Sequence, residues 1–137
     1  MPAPRILAFL LAVPLLGAAA AAAPTDPLTL EREIPLGQVQ GRIDHMAVDL
    51  ARKRLFVAEL GNGSLGVVDL EKGKVLKRVG GLKEPQGVAY VPGADLRYVA
   101  SGGDGTLRRY AGAALGPAGV AKLGDDADNV RLDPRGG

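Results

Sequence analysis

Short apolar runs separated by polar turns fill the chain after residue 40, and their order repeats. Arg54-Leu55-Phe56-Val57-Ala58 returns as Leu96-Arg97-Tyr98-Val99-Ala100, and Leu65-Gly66-Val67-Val68 returns as Leu107-Arg108-Arg109-Tyr110. Phe56 and Tyr98 are 42 positions apart, as are Leu65 and Leu107. Runs rich in Val, Leu, Tyr and Phe between Gly, Asn, Asp and Pro clusters are typical of β-strands. The pattern therefore predicts two consecutive copies of one β-rich unit.

Each copy is predicted to form four antiparallel strands. Asn62-Gly63 and Asp104-Gly105 fall at the same place in the two copies, and both dipeptides accept the positive φ of a tight hairpin turn. The fourth strand of the second copy is the least regular, because residues 113–117 are small and broken by Gly and Pro. The predicted strands are Met46 to Asp49 and Val88 to Val91 (inner), Leu55 to Glu59 and Arg97 to Ser101 (second), Leu65 to Leu70 and Leu107 to Ala111 (third), and Val75 to Val79 and Gly119 to Leu123 (outer).

A repeat of about 40 to 45 residues with several short strands is typical of β-propeller blades. Helical repeats of similar length need long stretches of 3.6-residue periodicity, which the sequence lacks after residue 30. The predicted fold is all-β, with about two and a half four-stranded antiparallel units of an incomplete ring. Residues 41–81 are the first blade, 82–123 the second, and 124–137 the start of a third, where Asp126 to Asp133 begins another copy.

Residues 1–23 have the composition of a secretory signal peptide. Arg5 precedes an apolar run from Ile6 to Leu16, and alanines from Ala18 to Ala23 follow, as such leaders require. Cleavage is expected after Ala20, Ala21 or Ala22. The alternative is a membrane anchor, but polyalanine is a poor membrane core and no basic stop-transfer flank follows. With no cysteine there is no lipidation site and no disulfide. We expect a secreted or periplasmic protein without a membrane span once the signal is removed.

Residues 24–40 are predicted to hold a lone outer strand and a linker. The stretch from Leu28 to Leu36 alternates apolar and polar residues and leads into the first copy as Val75 to Val79 leads into the second. In a ring propeller such a strand completes the last blade and removes the exposed sheet edges. Its partner blade is absent here. The chain is thus interpreted as a piece of a longer propeller, or as a short form that closes by self-association, and its open edges predict marginal stability.

Charge and composition exclude several functions. The 17 basic and 15 acidic residues are interspersed, and there are two Phe, three Tyr and no Trp, which does not fit a nucleic-acid footprint with basic and aromatic residues on one face. One histidine and no cysteine exclude a multi-histidine or thiolate metal site within this segment. No Gly-x-Ser-x-Gly elbow is present.

The two copies resemble the YVTN-type propeller repeats of secreted bacterial proteins and, more loosely, NHL repeats. Arg54 to Ala58 and Leu96 to Ala100 lie where that family has its "LYV-A" strand, and Gly66-Val67-Val68-Asp69 lies at its "V-VID" strand. The resemblance covers about residues 28 to 133. It implies a propeller, while propellers with this repeat include binding proteins, cell-surface proteins and enzymes, so function depends on the site.

Candidate chemistry lies in three segments that lead into the successive inner strands, because these loops open on a propeller's central channel. They place His45, Gln86 and Asp128 at equivalent positions, facing one axis, where they could bind a cation, water or a polar ligand. The alternative is that they only hydrogen-bond loop backbone. Asp44 is not expected to orient His45 as a general base, because neighbours on an extended chain point to opposite faces. The candidate ligand-binding residues are Arg42, Asp44, His45, Glu84, Gln86, Asp128 and Asn129.

Asp126 and Asp128 are weak metal candidates, since Gly124 to Asn129 lacks the spacing of an EF-hand loop. No cofactor is predicted, and a divalent cation is left open. The favoured function is a binding or interaction scaffold for an unknown small molecule or protein. The alternatives are a metal-assisted hydrolase of the lactonase type at the same channel mouth and a non-functional remnant. Catalysis is the less favoured interpretation, and no catalytic residue is assigned.

Overall fold

The computed structural model describes residues 28–133 and 135. The predicted signal peptide, residues 1–23, lies outside the described residues. The chain divides into two compact units, Met1–Glu31 and Arg32–Gly137, and all strands lie in the second. They are β1 (Met46–Asp49), β2 (Arg54–Glu59), β3 (Ser64–Asp69), β4 (Lys74–Val79), β5 (Pro85–Val91), β6 (Leu96–Ser101), β7 (Thr106–Ala111) and β8 (Gly116–Lys122).

The strands form two four-stranded antiparallel sheets, ordered β1-β2-β3-β4 and β5-β6-β7-β8. Each strand pairs with the next along the chain, which short turns between successive antiparallel strands favour. The predicted all-β class is confirmed. No α-helix occurs among the described residues, and no helix there is long and apolar enough to cross a membrane.

The outer strand of the second sheet differs from the prediction. It begins at Gly116 instead of Gly119, because Ala111 pairs with Gly116 and Tyr110 with Pro117. Pro117 is tolerated because an edge strand needs hydrogen bonds on one side only. Pairing then moves to Arg109 with Gly119 and leaves Ala118 as a bulge. The bulge at Leu76 in β4 lies at the equivalent place, between the Val67–Lys77 and Val68–Val75 pairs.

The repeat extends to the backbone conformation. Left-handed residues recur 42 positions apart, which is costly for residues other than glycine. In the β2–β3 and β6–β7 turns only the glycine of each predicted Asn-Gly or Asp-Gly pair has positive φ, because residues 60–62 and 102–104 form 3-10 turns ahead of it. The pairs are Lys53 (φ 51°) and Asp95 (50°), Gly63 (63°) and Gly105 (59°), Gly73 (63°) and Leu115 (55°), and Glu84 (50°) and Asp126 (55°).

Those two glycines are also positions of close backbone approach. A Cβ on Gly63 would lie 2.8 Å from the Leu82 carbonyl oxygen, and one on Gly105 would lie 1.9 Å from that of Gly124. In each sheet the chain leaving the outer strand crosses this turn, where Leu82 and Leu123 donate backbone hydrogen bonds to Gly63 and Gly105. The crossing directs the chain towards the next inner strand.

The hydrophobic core lies between the sheets. The first sheet and its connector contribute Phe56, Leu65, Val67 and Leu82, and the second contributes Val88, Tyr90, Val99, Tyr110 and Leu115. The Phe56 and Tyr90 rings are 5.6 Å apart and tilted, a favourable aromatic geometry.

A buried arginine joins the sheets at the edge of this core. The Arg97 guanidinium lies 4.9 Å from the Phe56 ring centre and 4.6 Å from that of Tyr90. It donates to the Asp95 and Gly112 carbonyls at 2.9 and 3.1 Å and lies 2.8 Å from the Asp95 carboxylate. Arg97 and Asp49 are only 2% and 1% exposed. Stacking on two rings and carbonyl bonds compensate much of the cost of burying the charge.

Arg52 completes this charged cluster. Its Nη1 lies 2.9 Å from Asp49 Oδ2, 2.7 Å from Asp95 Oδ1 and 3.1 Å from the Tyr90 hydroxyl. Burial alone would raise the pKa of Asp49, but hydrogen bonds from the Arg52 backbone and side chain hold it below the usual value. The Asp95 pKa is lowered too, chiefly by its hydrogen bond with Arg52. Both carboxylates are therefore ionised and tie β1 to the β5–β6 turn.

Residues 32–41 run along the first sheet from one end to the other. Arg32 donates to the Leu70 and Glu71 carbonyls, Arg78 donates to the Leu36 carbonyl, and the Gln40 backbone approaches Asn62 Oδ1 at 3.4 Å. No strand is assigned to residues 28–45. A closing strand pairs only with a blade that this chain does not supply, so its role stays a prediction, as do the domain limits and the third unit.

We expect Arg97→Ala to lower the free energy of unfolding by about 3–5 kcal/mol, because it leaves the buried Asp49 without one cation and removes the stacking between the sheets. Arg131→Ala, at an exposed position, is the control and should change it by less than about 0.5 kcal/mol. Urea denaturation measures both. A loss below about 1 kcal/mol for Arg97→Ala would contradict this role.

Candidate functional site

The three lead-in segments, residues 42–45, 83–86 and 125–129, meet at one end of the inner strands. The His45 backbone N–H donates to the Gln86 carbonyl at 3.2 Å, and His45 Nδ1 lies 3.9 Å from Asp128 Oδ1. Gln86 Nε2 lies 3.3 Å from Asp126 Oδ1. The structure thus brings His45, Gln86 and Asp128 into one neighbourhood.

Backbone pairing fixes the first two lead-in segments. The Asp44 N–H donates to Ala58, and the Ala58 N–H donates to His45, at 2.8 and 3.0 Å. In the second sheet the Gly102 N–H donates to the Glu84 carbonyl at 3.0 Å. Gly61 donates to Arg42, and its counterpart Gly103 donates to Lys83, a shift of 41 residues. The change from 42 is absorbed by the irregular β5–β6 pairing between Pro85 and Val88.

Asp44 and His45 contradict the expectation that their side chains diverge. His45 Nδ1 lies 3.0 Å from Asp44 Oδ1. Both residues precede β1, which starts at Met46, so the alternation of a regular strand does not apply to them. The Nδ1 atom is buried and makes no well-directed hydrogen bond to the described residues. Asp44 is close enough to orient the ring after a small rotation, or to stabilise a protonated imidazole.

Arg42 and Asp44 form an ion pair of 3.2 Å. Arg42 is 68% exposed, so solvent screening leaves this pair little stabilising value. Asp126, Asp128 and Asn129 are exposed, as is Glu84. Carboxylates outnumber basic groups among these candidates, which makes this end of the inner strands acidic.

Two glycines permit the close approach of the third lead-in segment. A Cβ on Gly87 would lie 2.0 Å from the Asp128 carbonyl oxygen, and one on Gly102 would lie 2.2 Å from Gln86 Nε2 and 3.1 Å from Asp126 Oδ1. Any larger residue would displace the backbone or the amide. These small residues hold Gln86, Asp126 and Asp128 together, and sequence reasoning did not single them out.

The weak metal candidates do not converge on a shared site. Asp126 contacts Gln86, whereas Asp128 is directed towards His45. Among the described residues, no group of three or more His, Asp or Glu side chains is arranged to hold a metal ion.

A second polar cluster was not predicted from the sequence. Asp49, Arg52, Asp95 and Arg97 lie at the opposite end of the inner strands, where β1 ends and β6 begins. Its signal was a basic turn followed 42 residues later by an Asp-x-Arg triplet, but its salt bridges between the sheets place it with the structural groups.

No family model matches the sequence, and neither does any curated protein. Solved structures do match. The chain superposes on hydrazine synthase of Kuenenia stuttgartiensis with a TM-score of 0.65 and 18% identity, over 79% of this chain and 30% of that one. Apo AztD of Citrobacter koseri gives 0.54 and 18%, over 64% and 26%. The RRP9 WD40 repeats give 0.52 and 16%, over 63% and 27%.

The two sheets are β-propeller blades. At such low identity the likeness extends to the fold alone. The chain spans less than a third of the length of each of these structures. The structure is therefore a β-propeller scaffold, with the first sheet as blade 1 and the second as blade 2.

We expect Gly87→Ala to displace residues 127–129 from blade 2, because its Cβ overlaps the Asp128 carbonyl oxygen. Gly93→Ala is the control, since a Cβ there meets nothing within 4 Å. Backbone amide NMR shifts of Asp128 and Asn129 measure the displacement. If both variants left these amides at their wild-type positions, the close approach would be wrong.

Proposed function

We propose that this chain is part of a secreted or periplasmic β-propeller of the YVTN type that acts as a binding or interaction scaffold. The composition of residues 1–23 supports export, and the "LYV-A" strands at Arg54 to Ala58 and Leu96 to Ala100 support the repeat type. The ligand contacts the lead-in end of the inner strands. The observation that carries this proposal is the meeting of His45, Gln86 and Asp128 from three successive units.

The ligand is polar and carries positive charge. Asp44, Glu84, Asp126 and Asp128 supply four carboxylates, and Arg42 is the one arginine among the candidates. Gln86 and Asn129 add amide groups, and His45 Nδ1 is within reach of two carboxylates. Such a group of acceptors suits an amine or a basic segment of a protein partner.

A metal-assisted hydrolase of the lactonase type is the second candidate. The proximity of His45 Nδ1, Asp44 Oδ1 and Asp128 Oδ1 favours it, because imidazole and carboxylate ligands suit a divalent ion. It would need further ligands from other blades, since those described here form no such site. The scaffold is therefore the better supported function.

Putrescine dihydrochloride is a suitable probe of the channel mouth. We expect saturable shifts of the His45, Gln86 and Asp128 amides, and we expect Asp128→Asn to weaken binding about three- to tenfold, as loss of a partly screened charge contact predicts. Glu71→Gln, which alters a carboxylate at the opposite end of blade 1, should change the affinity by less than twofold. Absence of saturation, or equal effects of the two variants, would contradict the proposed ligand class. Parallel titrations with CaCl2 and ZnCl2 test the hydrolase, which requires metal binding in preference to putrescine.

Export is tested separately. When the full-length chain is expressed in a Gram-negative host, we expect periplasmic protein that begins at Ala21, Ala22 or Ala23, because small residues precede those positions and Pro24 hinders a later cut. Intact mass and N-terminal sequencing of the periplasmic fraction measure this. The control, a chain lacking residues 2–23, should stay in the cytoplasm. Uncleaved protein in the membrane fraction would favour the anchor instead.

A further inference from the structure

A groove of about 400 Å³ opens between the outer parts of the two blades, away from the lead-in segments. Its walls come from β4 of blade 1 and from β7 and β8 of blade 2. Val79, Tyr110, Leu115, Pro117 and Val120 supply apolar surface. Its volume lies in the range of small-ligand sites, which are largely apolar with a few polar groups.

The bulge in β8 accompanies the opening. Gly119 pairs with Arg109 and Pro117 with Tyr110, and Ala118 between them is unpaired. A bulge bends and twists its strand. Val120 directly follows this region and is 66% exposed, although it lines the groove beside the buried Tyr110 and Leu115. Apolar surface at the mouth is thus left accessible.

The groove is basic. Lys77, Arg78, Arg108 and Arg109 are among its ten lining residues, and none of the ten is acidic. Arg78 pairs with Glu59 and Arg108 with Asp104. Lys77 and Arg109 donate instead to the carbonyls of Ala114 and Ala118. An ammonium has three donors, so Lys77 retains hydrogen-bonding capacity for an anion.

The floor of the groove is poorly hydrated. Burial raises the pKa of the Tyr110 hydroxyl, although the nearby Arg108 charge opposes this rise. A charge contact at the edge of such a surface is less screened than one in open solvent.

We propose that this groove binds a small carboxylate with an apolar body, whose chain packs on Tyr110, Leu115 and Val120 and whose carboxylate contacts Lys77. This site is independent of the channel mouth. The two differ in charge, one acidic and one basic, so they select different ligands. In a longer propeller the groove would lie on the outer rim, where it stays open while the channel mouth is occupied.

Octanoate is the probe, and its uncharged counterpart is 1-octanol. We expect octanoate to bind the full chain with a Kd of about 1 mM, a value suited to a ligand of this size. Amide shifts should concentrate at Val79, Tyr110, Leu115 and Val120. Octanol should bind several-fold more weakly, and added NaCl should weaken octanoate binding alone.

Two matched pairs of variants locate the site. Val120→Asp introduces a carboxylate in the groove and should weaken octanoate binding at least tenfold, whereas Leu123→Asp, at a residue 60% exposed and outside the lining, should have less than a twofold effect. Lys77→Gln should weaken it about three- to fivefold, as loss of an exposed ion pair predicts, and Lys74→Gln on the same strand should not. Unchanged amide spectra elsewhere confirm that each variant is folded.

Equal affinity for octanoate and octanol would overturn the carboxylate. Shifts spread over Tyr98 and Leu107, on a neighbouring apolar surface of blade 2, would overturn the groove, as would equal effects of Val120→Asp and Leu123→Asp. Failure of putrescine binding alone concerns the channel mouth and leaves this site unaffected.

Discussion

The packing of Arg97 between Phe56 and Tyr90 is the interaction on which the relation between the two blades depends. Most of the core is apolar and its packing is non-directional, so it tolerates small shifts of one sheet over the other. The guanidinium is different, because it must satisfy the Asp95 and Gly112 carbonyls within blade 2 while it stacks on Phe56 and approaches Asp49 Oδ2 at 3.8 Å in blade 1. Directional contacts of this kind fix the register of neighbouring blades, and with it the positions of the lead-in segments at the opposite end.

The repeat specifies where charge is buried, but not by which residues. In blade 1 the fully buried Glu59 receives Arg78 Nε at 2.9 Å, and Gly66 leaves room for it, since a Cβ there would lie 2.6 Å from Glu59 Oε1. In blade 2 the counterpart of Gly66 is Arg108, which pairs with Asp104 at 2.7 Å, and the counterpart of Glu59 is Ser101. The acid and the base have exchanged strands. A polar cluster satisfied in either arrangement avoids the cost of an unpaired buried charge.

Much of the fold could be predicted from the sequence, because hydrophobic alternation and turn residues are local signals. The 42-residue spacing was enough to place the strands and to bring His45, Gln86 and Asp128 together. The parts that escaped prediction depend on contacts between units. Arg97 replaces Leu55 of the first copy and Asp49 corresponds to Val91, so the repeat hides their partnership. The Asp44–His45 contact depends on where β1 begins, and the role of Gly87 depends on a segment some 40 residues later.

The distribution of charge separates the two candidate sites physically. The inner lead-in end carries exposed carboxylates with few basic partners, whereas the outer groove carries basic residues of which two have no carboxylate partner in the described chain. Within a nearly neutral protein, such an arrangement gives opposite potentials at the axis and at the rim. Screening at physiological salt acts over about 8 Å, so the two potentials extend only short distances into solvent. Ligands of opposite charge can then be held at the axis and at the rim without competing for the same contacts.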